Sequence, residues 1–332
     1  MKPTETLIQR LVTAHVVPGV SYALMDGDAV AANVLGQAAW YPAPERLTPN
    51  AQYDLASLTK VVGTLTVFLQ AVQDGLLTPA SPVADFLPSV TDRRVTFRHL
   101  LTHTSGIAGY IPHRDALPAP ALRDAILHLP VTAAFEQKPV YSDTNLLDTG
   151  FVLEKLYGAP IHDLIATRVL APLGLSGASF QPTLPVPTLF NRQTGRNFAG
   201  IVHDPKSRVL GAHSGSAGLF SDLPSLVRFA QWYLGQWAPA DPPVAQETLV
   251  PLWHDWAPHH GQRSLGWDLR YTPAGTPVLY HTGFTGTFIA LDRQHQQGLI
   301  VLTNRVYPNG HNDRFLADRE LILNTWLAEI DS

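Results

Sequence analysis

Ser57 and Lys60 stand three residues apart at the start of an apolar run, a spacing that could support acyl-transfer chemistry. A serine hydroxyl is a poor nucleophile until a neighbouring group takes its proton. At the first turn of a helix, residues i and i+3 lie on one side, so Lys60 can approach the Ser57 hydroxyl. The free N–H groups and positive dipole end of that helix would favour a developing oxyanion. Taken alone, Ser-x-x-Lys is common, and a capping serine with a solvated lysine accounts for it. The chain, however, has five lysines in 332 residues, and this one sits inside the apolar stretch 55–65. A lysine buried there needs partners.

Two further groups have chemical potential. Tyr141-Ser142-Asp143 precedes a helical pattern. A phenol can relay protons when nearby cations lower its pKa. A buried tyrosine with a Ser/Asp helix cap would read the same way. His281-Thr282-Gly283, followed by Phe284-Thr285-Gly286, closes an apolar strand pattern. A glycine there lets a substrate approach the strand backbone, though a plain turn uses the same residues. Around Ser216 the run Ser214-Gly215-Ser216-Ala217-Gly218 nearly meets Gly-x-Ser-x-Gly, but its first glycine is missing. His99 and His103 have the i, i+4 spacing of a zinc pair, but no His-Glu-x-x-His occurs, and a structural role fits them better. No phosphate-binding loop or dinucleotide fingerprint is present. Neither a metal nor a cofactor is expected.

The elements that must position these residues follow from periodicity. Leu7, Ile8, Leu11 and Val12 recur at helical spacing and predict an amphipathic surface helix. Residues 19–25 and 29–35 read as strands around the turn Asp26-Gly27-Asp28. From Leu58 onward Val61, Val62, Leu65, Leu69 and Val72 share a helical face. Helices are predicted at 96–103, 119–128, 144–157, 160–169 and 222–235, punctuated by prolines. Strands return at 265–271, 277–281, 287–292 and 298–303, and an amphipathic helix spans 313–330. Strands at both ends with helices between predict an α+β fold, an antiparallel β-sheet flanked by helices and built from both termini, with a mostly helical insertion. The expected division is 1–60 with 243–332 as the sheet subdomain and 61–242 as the helical one, together a single catalytic module.

Composition narrows the function. Charged residues are 15% of the chain and the net charge is −4, with no basic cluster, so nucleic acid is not an expected partner. There is no cysteine, which excludes disulfides, a thiol nucleophile and thiolate metal sites and fits a reducing compartment. No apolar run approaches the roughly 20 residues of a membrane span, and the first residues lack the unbroken apolar stretch of a secretory leader. A soluble, cytoplasmic protein with no membrane partner is the expectation. Trp232, Trp237, Trp253 and Trp256 are candidates for an apolar mouth, although tryptophans more often build core.

Three individually weak motifs in this order carry more weight together. Residues 53–60, Tyr-Asp-Leu-Ala-Ser-Leu-Thr-Lys, and the run 95–107, Val-Thr-Phe-Arg-His-Leu-Leu-Thr-His-Thr-Ser-Gly-Ile, precede Tyr141-Ser142-Asp143 and His281-Thr282-Gly283. With these the chain resembles the serine β-lactamase and penicillin-binding-protein superfamily, in the class C-like branch that also holds esterases and D-aminopeptidases. The 95–107 run is the most specific part of that resemblance, and it implies a structural helix and turn around His99 and His103. Residues 216–221 are similar to a segment near the cleft of relatives. Two positions depart from the pattern: Asp143 stands where asparagine is usual, and His281 where lysine is usual. An amide can donate to a substrate carbonyl and a carboxylate cannot. Neutral histidine would hold an anionic substrate less well than lysine, whereas protonated histidine would still contribute.

The resemblance implies a two-step acyl transfer. Ser57 attacks an ester or amide carbonyl, and Lys60 and Tyr141 handle its proton. The N–H groups of Ser57 and Phe284 form the oxyanion hole, and Asp143, His281, Thr282 and Gly283 border the substrate. Whether Lys60 or Tyr141 is the base stays open, because an Asp143 carboxylate would keep Lys60 charged. A small ester or amide, peptides included, is the expected substrate, with a carboxylesterase the first reading. A D-alanyl-D-alanine carboxypeptidase or weak β-lactamase is the alternative. A non-catalytic binding or sensor module on the same fold is the reading of another class.

Overall fold

The computed structural model describes residues 2–331. Its centre is a seven-stranded antiparallel sheet. The strands run, edge to edge, Glu45–Arg46, Ala29–Ala39, Gly19–Asp26, Gln297–Thr303, Phe288–Asp292, Pro277–Thr282 and Asp268–Tyr271. The sheet is therefore built from both termini, as predicted. The seam is the pairing of Gly19–Asp26 with Gln297–Thr303, in which Tyr22 faces Val301. Gly27 begins the two-residue turn between the first two strands at φ 54°, a left-handed conformation that glycine adopts at no steric cost.

The two-residue period of the strands divides the core into two layers. Tyr22, Tyr280, Phe288, Leu299 and Val301 pack under the terminal helices Pro3–Thr13 and Asp313–Ile330, with Ile8, Leu11 and Trp326. Ala23, Leu279, Ile289, Leu291, Ile300 and Leu302 point the other way, into the helical body. Each fully buried Leu or Ile of this kind contributes about 1.5–3 kcal/mol. A strand covered on both faces reads as nearly continuous apolar sequence, which is the pattern of 298–303. Among the described residues, no helix is long and apolar enough to cross a membrane.

Several elements differ from their sequence readings. The helix after Ser57 starts as a π-helical turn, Lys60–Thr64, and becomes α-helical at Leu65–Gln73. It is buried around its whole circumference from Lys60 to Ala71 rather than on one face, and it packs against the Asp143–Tyr157 and Ile161–Ile165 helices. The strand predicted from 265 begins at Asp268. Gly266 sits at φ 77° and donates its N–H to the Leu101 carbonyl at 2.8 Å, which takes it out of the ladder. The short helix Pro205–Leu210 and the hairpin Leu189–Asn191/Arg196–Phe198 had no periodic signal.

The Asp143–Tyr157 helix also carries a buried carboxyl, Asp148, neither of whose oxygens has a hydrogen-bond partner. Burial pushes this carboxyl well above the usual carboxylate range and holds it neutral. With a folded-state pKa above the unfolded one, the protein loses stability as pH rises from about 4 towards the folded value. Asp148→Asn removes that dependence. Its melting temperature should exceed the parent's by a few °C at pH 8, the gap closing towards pH 4. A gap that stays constant from pH 4 to 8 would contradict the neutral assignment.

Candidate active site

The turn holding Ser57 is fixed from three directions. The strand Tyr53–Asp54 pairs with Phe220–Ser221, and the Leu55 N–H donates to the Leu219 carbonyl at 2.9 Å. Ala56 then takes φ 45°, a left-handed conformation costly for a residue with a Cβ, and so turns the chain sharply ahead of Ser57. The buried Asp54 carboxyl steadies this corner, accepting the Ala56 N–H at 2.8 Å and the His203 N–H at 2.7 Å. Burial raises the Asp54 pKa to about 6 against those hydrogen bonds. From the sheet side, the Thr285 hydroxyl donates to the Asp54 carbonyl at 2.6 Å and the Thr287 hydroxyl to the Leu55 carbonyl at 3.2 Å. A Cβ at Gly283 would overlap the Leu55 carbonyl oxygen and the Thr287 hydroxyl, so only glycine lets the strand end close on the turn.

Lys60 is completely buried beneath Ser57. Its ammonium donates to Ser57 Oγ at 2.8 Å, to Asp143 Oδ1 at 2.8 Å and to the Ser216 carbonyl at 2.9 Å. All three of its protons are thus engaged. Burial by itself would lower the Lys60 pKa; the Asp143 charge and the Tyr141 hydroxyl reverse this and hold it above the ordinary lysine value. Asp143 shows the matching behaviour. Burial would raise it, but Lys60 and Lys206 keep it well below the usual carboxylate range. Lys206 Nζ lies 3.0 Å from Asp143 Oδ2 and 3.0 Å from Asp204 Oδ2. This arrangement favours the ammonium form of Lys60.

Tyr141 precedes the Asp143–Tyr157 helix and is 45% exposed. Its ring centroid lies 5.2 Å from Lys60 Nζ and 4.6 Å from the His103 ring. His103 Nδ1 accepts from Asn145 Nδ2 at 3.0 Å and from the Ser142 N–H at 3.3 Å. His103 is neutral, its pKa far below the ordinary value because of burial and then the Arg263 and Lys60 charges. His99 instead joins Thr96, Arg98 and Glu136. The two histidines therefore serve separate networks and do not converge as a ligand pair.

Phe284 is 56% exposed, its ring stacked on His203 at 5.5 Å and covered by the Arg305 guanidinium at 4.8 Å. Arg305 Nε donates to the Phe284 carbonyl at 2.8 Å. Among the described residues, the N–H groups of Ser57 and Phe284 donate to no other group. Ser57, Tyr141 and Phe284 line one cavity of about 490 Å³, together with the apolar Ala56, Leu189, Pro205 and Ala217 and the polar Asp143, His203, Asp204 and Arg208.

The other predicted positions are placed differently. His281 does not reach this cavity. It is buried, its Nδ1–H donates to the Thr282 carbonyl at 3.0 Å, and burial, with Lys60 and Arg263, drops its pKa to about 3. Both effects favour the neutral form of His281. Thr282, partly exposed, and Gly283, buried, are not among the residues lining the cavity either. Ser216 forms no exposed elbow: its side chain is buried and its carbonyl serves Lys60. None of the four tryptophans considered for a mouth lines the cavity. Trp232 and Trp253 are core, Trp256 Nε1 donates to the Pro251 carbonyl at 2.8 Å, and Trp237 packs under Arg228. Sequence reasoning missed Asp54, His203 and Lys206. The dipeptide Asp204-Pro205, an N-cap followed by a proline at the first helical position, was the available signal for the helix bearing Lys206.

Comparison with known proteins places this geometry among relatives. The family model described as Beta-lactamase matches residues 4–322. Proteins named putative D-alanyl-D-alanine carboxypeptidase from Escherichia coli (strain K12) and Salmonella typhimurium (strain LT2) are each 24% identical over 307 residues, spanning 79% of this chain and 71% of theirs. Among solved structures, a class C beta-lactamase superposes with a TM-score of 0.77 at 20% identity, over 98% of this chain and 94% of that one. A beta-lactamase/D-alanine carboxypeptidase from Pseudomonas syringae does so with a TM-score of 0.76 at 19% identity, over 96% and 97%. At these identities the structural likeness speaks for the fold.

Proposed function

The chain belongs to the beta-lactamase family and is a serine hydrolase of that fold, and from that premise we propose that it cleaves small, largely uncharged esters through an acyl-enzyme on Ser57. The observation that carries the reading is the Lys60 ammonium 2.8 Å from Ser57 Oγ, at the wall of an apolar cavity. In this reading Lys60 stays charged, lowering the cost of the Ser57 alkoxide, and Tyr141, acting as the phenolate, takes the Ser57 proton and returns it as the phenol to the leaving group. Coupled groups of this kind titrate as a unit. The Ser57 and Phe284 N–H groups receive the oxyanion, and water then releases the acyl group.

Support for an uncharged substrate comes from how the nearby cations are used. Lys60 and Lys206 share Asp143, and His281 is buried and neutral. Arg208 lines the cavity, but its Nη1 already donates to the Val202 and His203 carbonyls at 2.9 Å each. A substrate carboxylate thus meets few uncommitted donors. The second reading, a D-alanyl-D-alanine carboxypeptidase, is favoured by the names of the relatives. Short-chain nitrophenyl esters, nitrocefin and a D-Ala-D-Ala peptide assayed side by side separate the two. The ester reading requires kcat/KM for an ester to exceed the other two by at least tenfold. Preference for the peptide would overturn it in favour of the second.

Gly283 supplies a structural test of the oxyanion assignment. Gly283→Ala must push the strand end away from the nucleophile turn and displace the Phe284 N–H. Loss of one such donor costs roughly 10²–10³ in kcat. We expect that fall in kcat with KM changed less than threefold; a variant with parental kcat would remove Phe284 from the oxyanion hole.

A further inference from the structure

We propose that Lys206 is a positioning residue of the active site: by holding one oxygen of Asp143 while Lys60 holds the other, it balances the carboxylate and keeps the Lys60 ammonium aimed at Ser57. The inference rests on the acyl-transfer reading above. Lys60, Asp143, Lys206 and Asp204 form an unbroken chain of alternating charge, with contacts of 2.8, 3.0 and 3.0 Å. The Lys206 side chain is only 14% exposed. It also projects from the second residue of the short helix Pro205–Leu210, where the helix dipole disfavours a cation. A lysine kept there against burial and dipole is held by its two carboxylates.

The chain of four sums to zero charge. Removing Lys206 leaves two carboxylates against one ammonium, beside the Ser57 hydroxyl and the Tyr141 phenol, where negative charge must develop. Other charged and titratable groups do not compensate. On the Lys60 and Asp143 side, Arg263 stands near the neutral His103 and His281, and is itself 3.7 Å from Asp268. On the Asp204 side, Asp54 and His203 sit close, and the Arg208 guanidinium, whose Nη1 donates to backbone carbonyls, keeps its charge in parent and variants alike. An opposite charge at this range shifts a titration by about one unit or more. The direction is the same whether Lys60 or Tyr141 surrenders the proton, since either deprotonates less readily beside the added negative charge.

The experiment is the pH profile of kcat/KM for a nitrophenyl ester, on the full chain, for the parent, Lys206→Gln, Lys206→Arg and Asp204→Asn. In Lys206→Gln the acid limb should move up by about one unit, with kcat/KM near pH 7 falling roughly tenfold. Lys206→Arg should restore the limb to within a few tenths of a unit. Asp204→Asn, which keeps the helix-capping carbonyl oxygen, should move the limb the opposite way, and it keeps the proposal testable if Lys206→Gln does not fold. A limb that stays in place in folded Lys206→Gln or in Asp204→Asn overturns the proposal. Failure of the underlying reading looks different: a parent protein that a fluorophosphonate does not label has no active serine for Lys206 to position.

Discussion

Lys60→Met lowers kcat/KM by at least about 10³-fold without unfolding the protein. Lys60 Nζ is the only side-chain donor to Ser57 Oγ among the described residues, and it joins that oxygen to Asp143 and to the Ser216 carbonyl. Methionine fills a similar volume but leaves no charge beneath the nucleophile and no link between the nucleophile turn and the Asp143–Tyr157 helix. Breaking a buried ion pair costs about 3–5 kcal/mol when the remaining charge is stranded. Here Asp143 retains Lys206 at 3.0 Å, so the destabilisation should be smaller and the folded variant recoverable. Lys60→Arg should not rescue activity. A guanidinium spreads its donors over a planar fork and cannot direct single protons at three separate oxygens. Steady-state kinetics beside thermal melts checks this; a folded Lys60→Met with rates within tenfold of the parent would remove Lys60 from the mechanism.

Ser57→Ala is expected to have the larger effect, a loss of kcat on the order of 10⁴–10⁶. Nothing else in the cavity can replace it. Tyr141 is the only other hydroxyl among its lining residues, and chain scarcity excludes a thiol because there is no cysteine. The Ser57 side chain contributes one hydrogen bond to Lys60 and is only half-buried, so its loss should change the melting temperature by no more than a few °C. Residual turnover would measure what the oxyanion donors and the cavity supply without a covalent step. Activity in Ser57→Ala above about a hundredth of the parent's would place the chemistry elsewhere.

Much of this arrangement was legible in the sequence, and what was not has physical reasons. Ordered short motifs singled out Ser57, Lys60, Tyr141 and Phe284; in the structure Ser57, Tyr141 and Phe284 line one cavity and Lys60 lies buried against Ser57. The sheet built from both termini was legible because buried strands leave dense apolar runs such as 298–303. Lys206 and His203 were not, since the stretch around them contains one helix of six residues, too short to show a period. They enter the site through contacts across large sequence separations, such as the His203 N–H on Asp54. His281 shows the reverse problem. Its motif marks the strand end, but the motif does not say which face of the strand is covered, and the ring is buried. The π-helical turn at Lys60–Thr64 was equally invisible, because its apolar spacing is also compatible with an ordinary helix.

The charge state of Lys60 sharpens the mechanism beyond what motifs allow. A lysine in an apolar stretch could have been a neutral base through burial alone. Asp143 at 2.8 Å favours the ammonium form, and the proposed mechanism therefore gives the Ser57 proton to Tyr141, which lines the same cavity. The Asp143 carboxylate is shared by the two lysines, Oδ1 with Lys60 at 2.8 Å and Oδ2 with Lys206 at 3.0 Å, which is the arrangement the proposed role of Lys206 rests on.

A covalent intermediate on Ser57 can be captured by fluorophosphonate treatment followed by intact-mass spectrometry and peptide mapping. A single adduct is expected, mapped to Ser57 in the peptide covering 53–60, with no adduct in Ser57→Ala. An adduct on any other residue, or equal labelling of Ser57→Ala, would contradict it.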